Sequence, residues 1–276
     1  LWSNESSCII PELPSVGFHG DRWYRPIETS EKQRPFEDCV MALDLAGGGE
    51  DELAYAIVAR TNGTLFLLDA GSFEGGWKRE ENLLGIAQKA IRWKVNLIHD
   101  ETTGAQELFR KLLAQVLARE CKAAGWRVGF TEKGFRSSVN KAKRIAEIME
   151  QVMGQHRLVV NRAIIDSDYR YEKPGYGIEE SAEYQLFYQM VHLDPEDPKD
   201  GGLEHDDRID ALAMACLYHA PALGMDREEQ TRLYAQEEQW RETESFLAEV
   251  DRVDPVAARN HPPSALEWVR SLREHR

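Results

Sequence analysis

Carboxylates gather at three places in this 276-residue sequence, each where an apolar run stops or an amphipathic helix starts. Asp44 closes the run Cys39-Val40-Met41-Ala42-Leu43. Asp100 and Glu101 follow the run Val95 to His99. Asp206, Asp207 and Asp210 stand at the head of a helical stripe made by Ile209, Leu212, Ala213, Cys216 and Leu217. A carboxylate that ends an apolar strand is costly unless a cation meets it. Its oxygens are hard ligands, suited to Mg2+ or Mn2+ rather than zinc. Two such ions about 4 Å apart activate a water and stabilise the leaving oxygen of a phosphodiester. That chemistry needs ligands delivered from several sides by separate elements. Asp206 and Asp210 lie one helical turn apart and Asp207 three residues before Asp210, so at least two share a face.

Some of these acids also have plainer roles. An Asp-Asp pair before a helix caps it, accepting backbone N–H bonds at the positive end of the dipole. Asp100 and Glu101 fit a turn with Thr102-Thr103-Gly104, and His99 beside them is either a bystander or a proton shuttle. No such structural role accounts for Asp44.

The elements that must position these residues follow from the hydrophobic pattern. The run at Cys39 reads as a strand buried on both faces, broken by Gly47-Gly48-Gly49. Leu53 to Ala59 is a second strand, Asn62-Gly63 a hairpin turn, and Leu65 to Ala70 a third strand. After this antiparallel meander the pattern alternates. Leu83, Leu84, Ala87, Ala90 and Ile91 mark a helix, and Val95 to His99 a strand. Leu108, Leu112, Val116 and Leu117 mark a longer helix, and Trp126 to Phe130 a strand. Ile145, Ile148, Met149 and Val152 mark another helix, Leu158 to Val160 an extended piece, and the helix near Asp206 closes the series. The fold class is α/β: a mixed sheet with helices on both faces. A doubly wound dinucleotide fold would place a helix directly after the first strand, and the second strand comes too soon for that.

Residues 1–37 carry Pro11, Pro14, Pro26 and Pro35 without hydrophobic period and read as a linker or arm, which Trp2, Trp23 and Tyr24 pack against the body. Residues 38–221 form the domain, and 222–276 a charged, helix-prone tail. Four separated cysteines with no C-x-x-C pair argue against a disulfide framework or a structural zinc. No run approaches the roughly 20 apolar residues of a membrane span. The net charge of −14 speaks against nucleic acid as a partner. Local positive charge can still hold a phosphate backbone. Lys122, Arg127, Lys133, Arg136, Lys141, Lys143 and Arg144 supply it in one region with few acids. Lys133, Arg136, Lys141, Lys143 and Arg144 are the expected DNA contacts, positioning the duplex without reading its sequence; an ordinary solvated helix face is the plainer alternative.

Three stretches carry a resemblance to a known family. Met41-Ala-Leu-Asp44-Leu-Ala-Gly-Gly-Gly-Glu-Asp51-Glu52 resembles the first nuclease motif of bacteriophage terminase large subunits, above all those of short-tailed (podovirus) phages. Leu68-Asp-Ala-Gly-Ser-Phe-Glu-Gly-Gly-Trp77 is similar to their next hairpin. Phe187-Tyr-Gln-Met190 with His205-Asp-Asp-Arg-Ile-Asp-Ala-Leu-Ala213 resembles their closing motif. The likeness runs over about residues 38–220. It implies a ribonuclease H-like fold and an Mg2+- or Mn2+-dependent endonuclease that cuts double-stranded viral DNA concatemers with two metal ions. Carried over position by position, Asp44 is the first metal ligand and one of Asp206 and Asp207 the third, with Asp210 near it. The middle ligand is Asp100 or Glu101, with Asp100 favoured, and Asp51 is a supporting acid. The same resemblance implies the portal protein and the small terminase subunit as partners, and the host cytoplasm as location.

One family feature does not appear: no G-x-x-x-x-G-K-[ST] phosphate loop is present, and Gly47-Gly48-Gly49 lacks the Lys-Ser/Thr that would make it one. With Leu1 at its start, the sequence is therefore read as an excised nuclease domain without its ATPase motor. Two alternatives stay open: another ribonuclease H-like nuclease of resolvase or transposase type, and a non-catalytic docking module for portal or small subunit.

Overall fold

The computed structural model describes residues 5–13, 22–27, 35–45, 52–100, 106–131, 140–154, 156–197 and 202–223, together with Gln236, Gln239 and Thr243. The chain divides into two compact units, Leu1–Gly224 and Met225–Arg276. In the second, the three described residues are helical, and Thr243 Oγ1 donates to the Gln239 carbonyl at 2.7 Å.

The first unit is built on a six-stranded sheet. Strands β1 (Asp38–Asp44), β2 (Leu53–Thr61) and β3 (Thr64–Phe73) form the antiparallel meander. Asn62 and Gly63 turn the β2–β3 hairpin with φ of 51° and 64°. Both values lie in the left-handed region that a two-residue primed turn requires, and Asn-Gly is the pair that tolerates it. Helix α1 (Glu80–Arg92), strand β4 (Leu97–Asp100), helix α2 (Gln106–Ala124), strand β5 (Gly129–Phe130), helix α3 (Lys141–Gly154) and strand β6 (Leu158–Val160) then alternate. Short helices α4 (Arg162–Asp168), α5 (Ile178–Ser181) and α6 (Leu186–His192) lead to α7 (Asp207–Tyr218) and α8 (Ala220–Leu223). The sheet order is β5-β4-β1-β2-β3-β6, with β4 parallel to β1, β5 parallel to β4, and β6 parallel to β3.

Alternation along β1 divides the core. Cys39, Met41 and Leu43 face α1 and α2 with Ile86, Phe109 and Leu113. Val40 and Ala42 face α3 and α7 with Ile145, Leu212 and Cys216. This two-faced burial is why β1 reads as a continuous apolar run. The arm joins the α7 side: Ile9 bridges Tyr24, and the Trp23 ring meets Phe187 edge-on at 4.9 Å. Trp2 lies outside the described residues.

The structure differs from the sequence pattern in three places. The expected strand Trp126 to Phe130 is paired only at Gly129–Phe130. Trp126 instead donates its Nε1 to the Val95 carbonyl at 2.7 Å and so anchors a connection. In α2 the buried stripe is Phe109, Leu113, Val116 and Leu117, while Leu108 is 54% exposed. Both series have helical spacing, and the bulkier Phe109 takes the inner position against Trp77, centroids 5.9 Å apart. Helices α4 to α6 went unseen because at four to seven residues they are too short for periodicity to mark.

All four cysteines are free and buried. Burial pushes the thiols of Cys39 and Cys216 up to about 12. Iodoacetamide at pH 8 should therefore leave Cys39 and Cys216 unlabelled in the native protein and label both in denaturant, as read by peptide mass mapping. Labelling of either in the native protein would contradict the packing of β1 or α7.

Candidate functional site

Asp44 is the last residue of β1 and continues the series Val40 and Ala42, so its side chain enters the α7 face of the sheet. Helix α7 packs there through Ile209, Leu212 and Cys216, with Ala211, Ala213 and Ala215 buried alongside them. Its first turn brings Asp206 and Asp210 to the same place.

The three carboxylates surround one ammonium. Lys141, the first residue of α3, places Nζ 2.9 Å from Asp206 Oδ1, 3.2 Å from Asp210 Oδ2 and 3.7 Å from Asp44 Oδ2. One turn further along α3, Arg144 pairs with the other oxygen of Asp210. Asp44 is 5% and Asp210 1% exposed, so these charges are largely out of water. Burial opposes the charge on Lys141, but Asp210, Asp44 and Asp206 outweigh it and hold its pKa above the ordinary lysine value. Three negative charges face two positive ones.

Asp206 occupies the N-cap position of α7 but makes no side-chain cap bond; its carboxylate turns to Lys141 instead. Asp207 points elsewhere, its Oδ2 accepting from the Glu52 backbone N–H at 3.4 Å. Asp100 is on the opposite face of the sheet. In the β1–β4 register it pairs with Leu43, and parallel partners point the same way. Asp100 is fully buried there, receiving Arg110 Nε at 3.0 Å on both oxygens and Nη2 at 2.5 Å. His99 lies on the Asp44 side with its Nδ1 3.0 Å from Thr131 Oγ1, and burial holds its pKa below the ordinary value.

Of the expected DNA contacts, Lys141 and Arg144 turn inward to the acids. Lys143 is exposed and pairs with Glu196 at 3.5 Å. Glu101, Lys133, Arg136 and Asp51 lie outside the described residues.

A second buried ionic group went unnoticed in the sequence. Arg208, 3% exposed, donates Nε at 3.1 Å and Nη2 at 3.0 Å to Glu52 Oε2, Nη2 at 3.0 Å to Ser72 Oγ, and lies 3.5 Å from Asp168 Oδ1. Its guanidinium sits 4.0 Å from the centre of the Tyr171 ring. The Tyr171 hydroxyl donates to Glu52 Oε1 at 2.7 Å, and burial with Glu52 pushes its pKa up to about 12. The available signal was Arg208 itself, a cation four residues before Leu212 on the buried stripe of α7.

Among the described residues no group of three His, Cys, Asp or Glu side chains is arranged to hold a metal ion. The chemistry of the Asp44, Asp206 and Asp210 set nonetheless fits one. It is all carboxylate oxygen, it converges on a single cationic centre, and it carries more negative charge than its two partners cancel. Asp100 is a separate case, a buried carboxylate satisfied by arginine. Arg110→Met should cost about 3–5 kcal/mol by leaving that charge unpaired. Adding Asp100→Asn should restore most of the loss in urea unfolding; no recovery in the double variant would mean that the pair is not what holds α2 to β4.

Residues 43–158 match the family model of the ribonuclease H-like domain of bacteriophage T7 terminase. The terminase large subunit of Enterobacteria phage T3 is 30% identical over 215 residues, which cover 78% of this chain and 35% of that protein. The chain thus spans about a third of the length of that relative. Two solved structures align more remotely. The human cytomegalovirus terminase nuclease domain, Mn soaked and inhibitor bound, has 13% identity and a TM-score of 0.44, covering 67% of this chain and 83% of that one. The nuclease domain of the large terminase subunit of bacterial virus Sf6 has 14% identity and a TM-score of 0.39, covering 67% and 89%. Over residues 43–158, this chain is thus similar to the ribonuclease H-like domain of bacteriophage terminase large subunits.

Proposed function

We propose that this chain is a metal-dependent DNA endonuclease that cuts double-stranded viral DNA concatemers during genome packaging by two-metal-ion hydrolysis. The observation that carries the reading is the convergence of Asp44, Asp206 and Asp210 on one cation position. These three would hold the metal, Mg2+ or Mn2+. When bound, the ions would supply a nucleophilic water at neutral pH and positive charge for the leaving oxygen.

The commitment of Asp100 to Arg110 on the α2 face favours Glu101 over Asp100 as the further ligand. Asp207 serves the join between α7 and β2. Arg144 orients Asp210 through its charge-assisted bond, and Lys141 keeps the three acids together. Lys143, with Lys133 and Arg136, is left to contact the duplex backbone. As part of a packaging enzyme, the chain would work in the host cytoplasm with the portal protein and the small terminase subunit. No helix among the described residues is long and apolar enough to cross a membrane.

The ion-paired state of the acids also favours a second reading, a docking module that cuts nothing. Plasmid nicking with Mg2+, Mn2+ or EDTA separates the two. Asp44→Ala and Glu101→Ala should each lower metal-dependent nicking by on the order of 100-fold or more, as when a group stabilising transition-state charge is removed. Asp100→Asn should instead lower the melting temperature and leave nicking close to normal. Absence of cleavage with either metal would favour the docking module, and unimpaired nicking by Asp44→Ala would remove Asp44 from the site.

A further inference from the structure

Helix α7 begins without help from its own N-cap residue, because the Asp206 carboxylate faces Lys141 and makes no cap bond. The bond a cap would make comes from another helix. Gln189 of α6, 1% exposed, accepts the Ile209 backbone N–H with Oε1 at 3.0 Å. Gln189 is fixed in turn, donating Nε2 to the Glu183 carbonyl at 3.0 Å. Helix α6 is fixed at its start by Asp168, whose two oxygens accept the Leu186 and Phe187 N–H groups at 2.9 Å each. Asp168 lies 3.5 Å from Arg208, the second residue of α7, which closes the ring of contacts.

We propose that Gln189 is a surrogate N-cap for α7 whose role is to release Asp206 for metal binding, making Gln189 a positioning residue; the inference rests on reading Asp44, Asp206 and Asp210 as the metal site. An Asp at an N-cap normally accepts from the N–H two or three residues on. Ile209 is three residues on, and its N–H is already taken. Asp206 therefore has no competing use for its carboxylate, and α7 keeps a capped end while its natural cap residue serves the cluster. Gln189 belongs to the Phe187-Tyr-Gln-Met190 stretch, so two separated parts of the sequence act on one helix end.

The test uses the full chain. In metal-free protein, Asp206→Ala should leave the melting temperature unchanged or higher, because Asp206 caps nothing and the loss of its bond to Lys141 is offset by relief of the three-against-two excess of acids. In a Gln189→Met background Asp206 can return to the helix end. There the same substitution should lower the melting temperature by about 2–4 °C, the shift expected from losing a typical cap. Mn2+ titration followed by electron paramagnetic resonance should show Gln189→Met weakening binding by about 10-fold or more, as for other residues that orient ligands. A fall in melting temperature for Asp206→Ala alone would overturn the proposal, whether or not Gln189→Met folds. So would wild-type Mn2+ affinity in Gln189→Met, since a purely structural Gln189 would change stability and leave affinity alone. Asp44→Ala is the separate control: unchanged Mn2+ binding there would reject the metal site itself, while the metal-free comparison would still decide the cap.

Discussion

Like charges cannot be gathered in a protein interior without a counterweight, and in this molecule that constraint governs the end of the central strand. Asp44, Asp206 and Asp210 come from a strand and a helix far apart in sequence, and two of them are almost fully buried. Uncompensated, such a group would raise its pKa values and take up protons rather than stay charged. Lys141 and Arg144 supply the compensation from the first two turns of α3. Helix α3 must therefore begin beside the site, and α7 must enter the same face by its N-terminus. The meander makes this arrangement feasible, because it leaves β1 in mid-sheet with β4 on one side and β2 on the other.

The Arg208 group solves the same problem differently. Around Lys141 the central cation is an ammonium on a long stem, 34% exposed. Around Arg208 two carboxylates meet one guanidinium whose planar fork reaches Glu52, Ser72 and Asp168, with Tyr171 covering its face. A rigid, satisfied network of this kind defines a single arrangement. It lies at Arg208, between Asp206 and Asp210 in sequence. The Arg208 group thus fixes the helix turn whose acids Asp206 and Asp210 face Lys141, each two residues away along α7.

Much of the fold could be read from the chain because its signals are local. The β1 run, the Asn62-Gly63 turn and the spacing of Ile145, Ile148, Met149 and Val152 each state their structure within a few residues. So did the suspicion attached to Asp44. The direction of a side chain is less local. Asp100 looked equivalent to Glu101 at a strand end, and only the register with β1 assigns Asp100 to the α2 face. Lys141 and Arg144 looked like backbone contacts for DNA because sequence displays charge without showing where it points. Their partners at the start of α7 lie 65 to 69 residues away, on an element that meets α3 only in the folded state. The Gln189 bond was hidden for the same reason, since a neutral amide in a short helix gives no pattern to read.

The charge balance also bears on how a chain of net charge −14 could approach an anionic polymer. With Lys141 at its centre, the cluster counts three negative charges against two positive, a surface that repels phosphate. On the proposed reading, two divalent ions would add four positive charges to those same residues and reverse the local sign. Even a fourth carboxylate from Glu101 would leave the loaded site positive. Attraction of phosphate to this spot would then be conferred by the metal rather than by the basic residues of α3, two of which are already committed to acids. On that reading the overall acidity of the chain and the inward turn of Lys141 and Arg144 become parts of one arrangement, in which the metal-free protein would have little affinity for DNA at the proposed site.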